Sequence, residues 1–204
     1  QERMLAALTF NDYEGIAQIK NHNRCKQPAD NMHWLLHTCP DCLEELSMTG
    51  EGDRVRCNRC GAQAQLLPTG ALQRIAVKGE SWPNVPEWFN LQRKVLADKM
   101  KDESFVLMAQ GQLSRTEASP DSPMRPVSTG MACLSRKELT FTGTGAEGET
   151  KVRFPIQELD MLPVSLGKSF ELCDGDGVYW QVQPTQPEMV VRFEQFVDIC
   201  LHPV

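Results

Sequence analysis

The hydrophobic residues of this chain follow a two-residue period over its second half. From Ser104 onward, apolar Phe105, Leu107, Ala109 and Leu113 mark one strongly apolar face of a strand. Gly and Asp residues suited to turns separate several of the apolar segments that follow. Further strands are predicted at residues 127–134, 139–143, 150–155, 170–173 and 178–183. We therefore expect an antiparallel set of about six or seven strands here.

Two segments instead carry apolar residues at helical spacing. Pro86 suits the first turn of a helix, and an apolar stripe from Trp88 to Met100 continues it to about Lys101. We interpret Trp88 as a core anchor. A second helix is predicted to begin near Pro187, with a broad apolar stripe formed by Met189, Val190, Phe193, Phe196, Val197, Cys200 and Leu201. The expected result is a curved sheet closed by a C-terminal helix.

The spacing of four cysteines predicts a metal site. Cys39-Pro40-Asp41-Cys42 is followed, after fourteen residues, by Cys57-Asn58-Arg59-Cys60. Two residues between cysteines let the backbone turn beneath the sulfur atoms, so each Cys-x-x-Cys knuckle supplies two corners of a tetrahedron. Four thiolates leave no position for water or substrate, which predicts one structural zinc ion rather than a catalytic one. Iron in a rubredoxin-like site is chemically compatible with the same ligands.

These patterns divide the chain into four parts and predict an α+β protein. The parts are a helical lead-in (1–38) with a short helix capped by Asn11, a zinc ribbon (39–80), a linker helix (81–102) and an antiparallel β module (103–204). Within the ribbon, strands are predicted at residues 43–48, 54–56 and 62–67, with a turn at 49–52. A ribbon of about thirty residues cannot bury a sizeable core, so metal binding must supply its folding free energy, about 10 kcal/mol or more.

Charge argues against a nucleic-acid partner. The net charge is -6, and from Cys39 to Leu67 three arginines stand against five acidic residues. Phosphate binding requires the opposite balance. No apolar run long enough to cross a bilayer and no signal peptide is visible, and the other four cysteines are scattered, so a reducing cytoplasm is expected. The first residue is Gln1 rather than Met, which fits a processed protein or a piece of a longer one.

No catalytic residue can be assigned. His22 has Gln27 where a His-x4-Asp acyltransfer dyad needs a carboxylate, and His33 and His37 are interpreted as lying beside a metal shell that the cysteines already fill. The segment Asp174-Gly175-Asp176-Gly177 is interpreted as a hairpin turn rather than a calcium loop. For anionic lipid headgroups, the candidate cluster comprises Arg136, Lys137, Lys151 and Arg153, although a solvated strand edge explains these residues equally well.

The order of the motifs resembles the C-terminal extension of clostridial 1-acyl-glycerol-3-phosphate acyltransferase-like proteins. The resemblance rests on the two knuckles, on Pro86-Glu87-Trp88-Phe89-Asn90-Leu91-Gln92-Arg93, on Phe154-Pro155-Ile156 and on Leu162-Pro163. Residues 130–141 also look like part of a GRAM or pleckstrin-homology (PH) module. The resemblance implies a parent enzyme that acylates lysophosphatidate at the membrane. The family's His-x4-Asp and glycerol-phosphate motifs are missing here, so no catalytic residue carries over.

We therefore expect a non-catalytic, zinc-binding accessory region. It would position or regulate a phospholipid-synthesising acyltransferase, with the catalytic domain in cis and with contacts to protein or to the inner face of the membrane. The alternative is a stand-alone zinc-ribbon adaptor in transcription or another protein assembly.

Overall fold

The computed structural model describes residues 25–76, 80–116 and 123–202. The predicted helix capped by Asn11 lies outside these residues. The chain forms two compact units, which meet in sequence between Asn90 and Leu91. The predicted four-part division at residues 38, 80 and 102 stays a prediction.

Unit 1 contains a short 3-10 helix, Met32–Trp34, and a four-stranded antiparallel sheet. The strands follow chain order: β1 (Met48–Glu51), β2 (Arg54–Cys57), β3 (Gln63–Leu66) and β4 (Leu72–Arg74). Its core is small and includes Leu36, Met48, Val55, Leu72, Trp82 and Trp88, all buried. The prediction that Trp88 anchors a core is confirmed, since its side chain is fully buried.

The predicted strand at residues 43–48 is wrong. Leu43 and Leu46 have φ angles of 58° and 54°, which a β-strand cannot contain. The strand begins instead at Met48, and the segment predicted as its turn forms most of β1. The segment does not extend as a strand because the chain turns directly after the first knuckle, where Leu43 N–H donates to Cys39 O.

A helix, α1 (Val85–Lys99), begins in unit 1 and ends in unit 2. A reciprocal capping box fixes its start: Glu87 N–H donates to Asn84 Oδ1 (2.9 Å), and Asn84 N–H donates to Glu87 Oε2 (3.1 Å). Pro86 lies in the first turn, where a missing N–H is harmless. The helix buries Trp88 in the core of unit 1 and Leu96 in the core of unit 2.

Unit 2 contains a seven-stranded antiparallel sheet and a C-terminal helix, α2 (Glu188–Leu201). The strands are β5 (Leu107–Thr116), β6 (Arg125–Leu134), β7 (Glu138–Gly145), β8 (Gly148–Pro155), β9 (Val164–Ser165), β10 (Ser169–Cys173) and β11 (Tyr179–Pro184). Their order across the sheet is β8-β7-β6-β5-β11-β10-β9, with a 3-10 helix, Ile156–Glu158, after β8. The expected antiparallel strands and closing helix are confirmed.

The apolar stripe of α2 packs on the inward face of this sheet. Phe193 stacks on Phe170 of β10 with ring centroids 5.0 Å apart, and Phe196 stacks on Phe105 at 6.3 Å. Phe141 of β7 is fully buried in the same cluster. Burying a large side chain of this kind contributes about 1.5–3 kcal/mol, so these rings are a large favourable term in the folding of unit 2.

Three glycines form a row across the sheet of unit 2. Gly111 pairs with Gly130, and Gly130 pairs with Gly143. A Cβ atom added to Gly111 would lie 2.5 Å from Gln183 O, and one added to Gly143 would lie 2.5 Å from Thr129 O. Backbone atoms of adjacent strands thus occupy the space of a side chain, which only glycine permits.

Candidate metal centre

The four predicted ligands lie close together. The Sγ atoms of Cys39, Cys42, Cys57 and Cys60 all lie within 4.8 Å of one another. Two of the separations are 3.7 Å, between Cys39 and Cys60, and 3.8 Å, between Cys42 and Cys57. A tetrahedral shell with Zn–S bonds of about 2.3 Å requires sulfur atoms about 3.8 Å apart. The sulfur positions therefore fit a four-coordinate metal ion.

Two similar turns position the sulfur atoms. In the first knuckle, Cys39 N–H donates to Glu44 O and Leu43 N–H donates to Cys39 O, both at 2.9 Å. The second knuckle begins at Cys57, the last residue of β2, and Gly61 N–H donates to Cys57 O (3.0 Å). In the paired strands β1 and β2, Met48 lies opposite Cys57, so the second knuckle begins beside the chain that follows the first knuckle.

The residue after each knuckle has a left-handed backbone. Gly61 has φ 77°, a conformation that glycine adopts without strain. Leu43 occupies the corresponding position of the first knuckle with φ 58°, and its side chain is 47% exposed. Since leucine has a Cβ, this backbone is strained by about 1 kcal/mol or more. The first knuckle thus accepts strain that the second avoids.

The electrostatics of the cluster differ from one cysteine to the next. Cys39 and Cys57 are buried, whereas Cys42 and Cys60 are exposed. Burial raises the pKa of the Cys39 thiol and, more weakly, that of Cys42. Burial acts in the same direction on Cys57, but hydrogen bonds with Ser47 Oγ and with the N–H groups of Cys60 and Arg59 lower its pKa to about 6. These hydrogen bonds favour the thiolate, which is the form of cysteine that binds a metal ion.

Two tryptophans hold the first knuckle from outside the metal shell. Trp88 Nε1 donates to Thr38 O at 2.6 Å, and Trp82 Nε1 donates to Asp41 Oδ1 at 3.0 Å. Arg74 of β4 pairs with the other oxygen of Asp41, Oδ2, at 2.6 Å. The knuckle is thereby fixed on both sides of Cys39. Sequence reasoning missed β4 and the roles of Arg74, Trp82 and Asp41, because only the fold brings residues 33 or more positions apart into contact.

Histidines do not join the metal-ligand cluster found among the described residues, which contains cysteines alone. His33 Nδ1 accepts a hydrogen bond from Gly50 N–H (3.2 Å), and the buried His37 shares one with Thr38 Oγ1 (3.2 Å). The interpretation of both as neighbours of the site, not ligands, agrees with these contacts. His37 is buried rather than exposed at the surface, and it packs within the segment that leads into Cys39.

The segment at Asp174 forms a hairpin turn between β10 and β11. Asp174 Oδ1 accepts from the N–H groups of Asp176 (3.0 Å) and Val178 (2.9 Å), and Oδ2 accepts from Trp180 Nε1 (2.7 Å). Burial opposes ionisation, but these three donors hold the pKa of Asp174 below its usual range. The carboxylate is used within the turn, so the interpretation as a hairpin is confirmed.

Comparisons with known proteins give little information. No protein-family model and no curated protein matches the chain. A solved structure described as "Vav1 inhibited by an allosteric inhibitor: Vav1 inhibitors block GEF activity" is similar at 8% sequence identity, with a TM-score of 0.33. The match covers 59% of this chain and 39% of that chain, so this chain spans well under half of its length. Likeness at this level carries no conclusion about fold or function.

The described helices also bear on membrane insertion. None of them is both long enough and apolar enough to cross a bilayer.

Proposed function

We propose that this chain is a zinc-stabilised accessory region whose metal centre maintains the fold and whose β module makes the functional contacts. The observation that carries this proposal is the convergence of four sulfur atoms within 4.8 Å, with two separations, 3.7 and 3.8 Å, close to the value that zinc requires. With all four corners supplied by protein, the ion would have no open position for substrate. Its contribution would be to the folding free energy of unit 1.

Zinc is the metal we favour, and its test is direct. Elemental analysis of the purified protein should give about one zinc per chain, and replacing Cys39 and Cys57 with serine should abolish binding. The four cysteines outside the cluster provide the control, since Cys173→Ser should leave the metal content unchanged. A protein that contains iron, or one that keeps a folded unit 1 without any metal, would contradict this part of the proposal.

We propose that the β module is of the PH/GRAM type. Support comes from the chain order of the elements: a four-stranded meander (β5 to β8), three further strands (β9 to β11) and one C-terminal helix packed on the sheet. Modules of this type act by binding lipids or proteins rather than by catalysis. No catalytic constellation is proposed for this chain.

The partner we propose is a phospholipid-synthesising acyltransferase domain in cis, contacted directly or at the inner face of the membrane. This rests on the resemblance of the motifs to the clostridial extension. The reading frame upstream of the Gln1 codon should therefore encode a His-x4-Asp motif. In the longer protein, serine substitution of the metal ligands should reduce acyl transfer without changing the catalytic dyad. An upstream frame that encodes no such domain would exclude this partner.

One observation favours the alternative, a zinc-ribbon adaptor in another protein assembly. Leu43 and Leu46 are strained, large and exposed, at 47% and 37%, on the loop after the first knuckle. Exposed apolar side chains supply area that a protein partner can bury. If the upstream frame carries no acyltransferase, an adaptor that uses these leucines is the function to test.

A further inference from the structure

The structure brings three of the four predicted basic residues to one cavity in unit 2. Arg136, Lys137 and Arg153 line a cavity of about 590 Å³, together with Pro155, Ile156 and Leu201. Lys151 does not line it, although it lies two residues before Arg153 on β8. Unit 2 is acidic overall, since residues 91–204 contain twelve Lys and Arg against sixteen Asp and Glu. Three basic residues around one cavity are therefore a local positive cluster in a unit whose net charge is negative.

Hydrogen bonds from backbone N–H groups hold the chain around this cavity. Arg136 and Lys137 lie in the turn between β6 and β7, where Ser135 Oγ accepts from the N–H groups of Lys137 and Glu138, both at 3.2 Å. Ile156 N–H donates to Lys137 O at 2.9 Å and fixes the end of β8 against this turn. The backbone that carries Arg136 and Lys137 is thus fixed against the end of β8, the strand that carries Arg153.

The three basic side chains still have N–H donors that could bind an anion. Arg136 uses Nε and one Nη nitrogen to bind Met100 O, and Arg153 uses Nε to bind Glu138, so both guanidinium groups keep further N–H donors. Lys137 has no side-chain partner among the described residues. Three cations stand against one carboxylate, Glu138, and this balance suits a ligand with two negative charges.

We propose that this cavity binds a phosphate monoester. The cations would hold the phosphate oxygens, and Pro155, Ile156 and Leu201 would contact an apolar part of the ligand. The same chemistry occurs in a soluble phosphomonoester and in the headgroup of phosphatidic acid. The lipid source rests on the proposed membrane-surface role, whereas binding of inorganic phosphate does not.

The test uses Lys137→Glu, because this exposed side chain has no partner to lose and its reversal should leave the fold intact. Lys168→Glu provides the matched control: Lys168 is also exposed, and it lies between β9 and β10 at the other edge of the sheet. In an NMR titration with inorganic phosphate at constant ionic strength, the backbone amides of residues 136, 137, 153, 154, 156 and 157 should shift and saturate. Lys137→Glu should weaken this binding about tenfold or more, and Lys168→Glu should not.

Vesicle sedimentation distinguishes the two sources. If the protein binds phosphate and also sediments with phosphatidylcholine vesicles only when they contain phosphatidic acid, the ligand is a lipid headgroup. Phosphate binding without sedimentation identifies a soluble phosphomonoester, and the site then stands although the membrane role fails. The proposal is overturned if phosphate shifts no amide at the cavity, or if both variants weaken binding equally, since that would be general charge screening.

Discussion

Trp82 and Trp88 meet edge to face, with ring centroids 5.3 Å apart and planes at 71°, and both indole N–H groups point at the first knuckle. The two donors differ in their surroundings. Trp88 donates to the carbonyl of Thr38, a fully buried residue, whereas Trp82 donates to the partly exposed carboxylate of Asp41. This difference makes the pair a test of what supports the metal centre.

Trp88→Phe should destabilise unit 1 by about 1–3 kcal/mol, because the buried Thr38 carbonyl would lose its donor. Trp82→Phe should destabilise unit 1 less, since water and Arg74 can still donate hydrogen bonds to the Asp41 carboxylate. Denaturant unfolding of the metal-bound protein measures both. Equal losses in the two variants would show that ring packing, not hydrogen bonding, holds the knuckle.

Leu43→Gly should stabilise the protein by about 0.5–1 kcal/mol. Glycine relieves the left-handed strain, and the gain exceeds the entropy that glycine adds to the unfolded chain, since the leucine side chain is largely exposed. Thermal unfolding of the metal-bound protein is the measurement. Met161→Gly is the control, because Met161 is 67% exposed without a positive φ and should lose stability. A loss at both positions would mean that the Leu43 side chain makes a stabilising contact.

Gly130→Ala should destabilise unit 2 by about 2 kcal/mol or more. The new methyl group would collide with the carbonyl of Thr142 and the Cα of Gly143, both part of the neighbouring strand. Gly175→Ala is the matched control, because no atom lies within 4 Å of the added Cβ. Circular dichroism during urea unfolding compares the two. Similar behaviour of both variants would contradict the close strand approach.

The contribution of Asp174 should depend on pH. Its pKa is lowered in the folded state, so the stabilisation is fully present above the unfolded value of about 3.9 and is lost as pH falls through the folded value. Asp174→Asn should therefore cost about 1 kcal/mol at neutral pH, and the difference from the unsubstituted protein should shrink below about pH 4. Urea unfolding across this pH range is the measurement, and a difference that stays constant would exclude a charged carboxylate as the cause.

The sequence was sufficient for features that depend on local pattern. Cysteine spacing identified the four sulfur atoms, and two-residue and helical periods identified the antiparallel strands and α2, because these signals need no distant partner. It failed at residues 43–48, where a strand is predicted but the chain after the first knuckle has positive φ at Leu43 and Leu46. It also missed β4 and the contacts of Trp82 with Asp41, which only the fold can create.

Helix α1 has a practical consequence for dividing this protein. Trp88 belongs to one core and Leu96, two turns later, belongs to another. A fragment that ends before the helix would lose Trp88 from the first core, and a fragment that begins after it would lose Leu96 from the second. The apolar residues that pack on the missing side chain would then be exposed to solvent and could aggregate. Each half can be produced separately only if both fragments include residues 85–99.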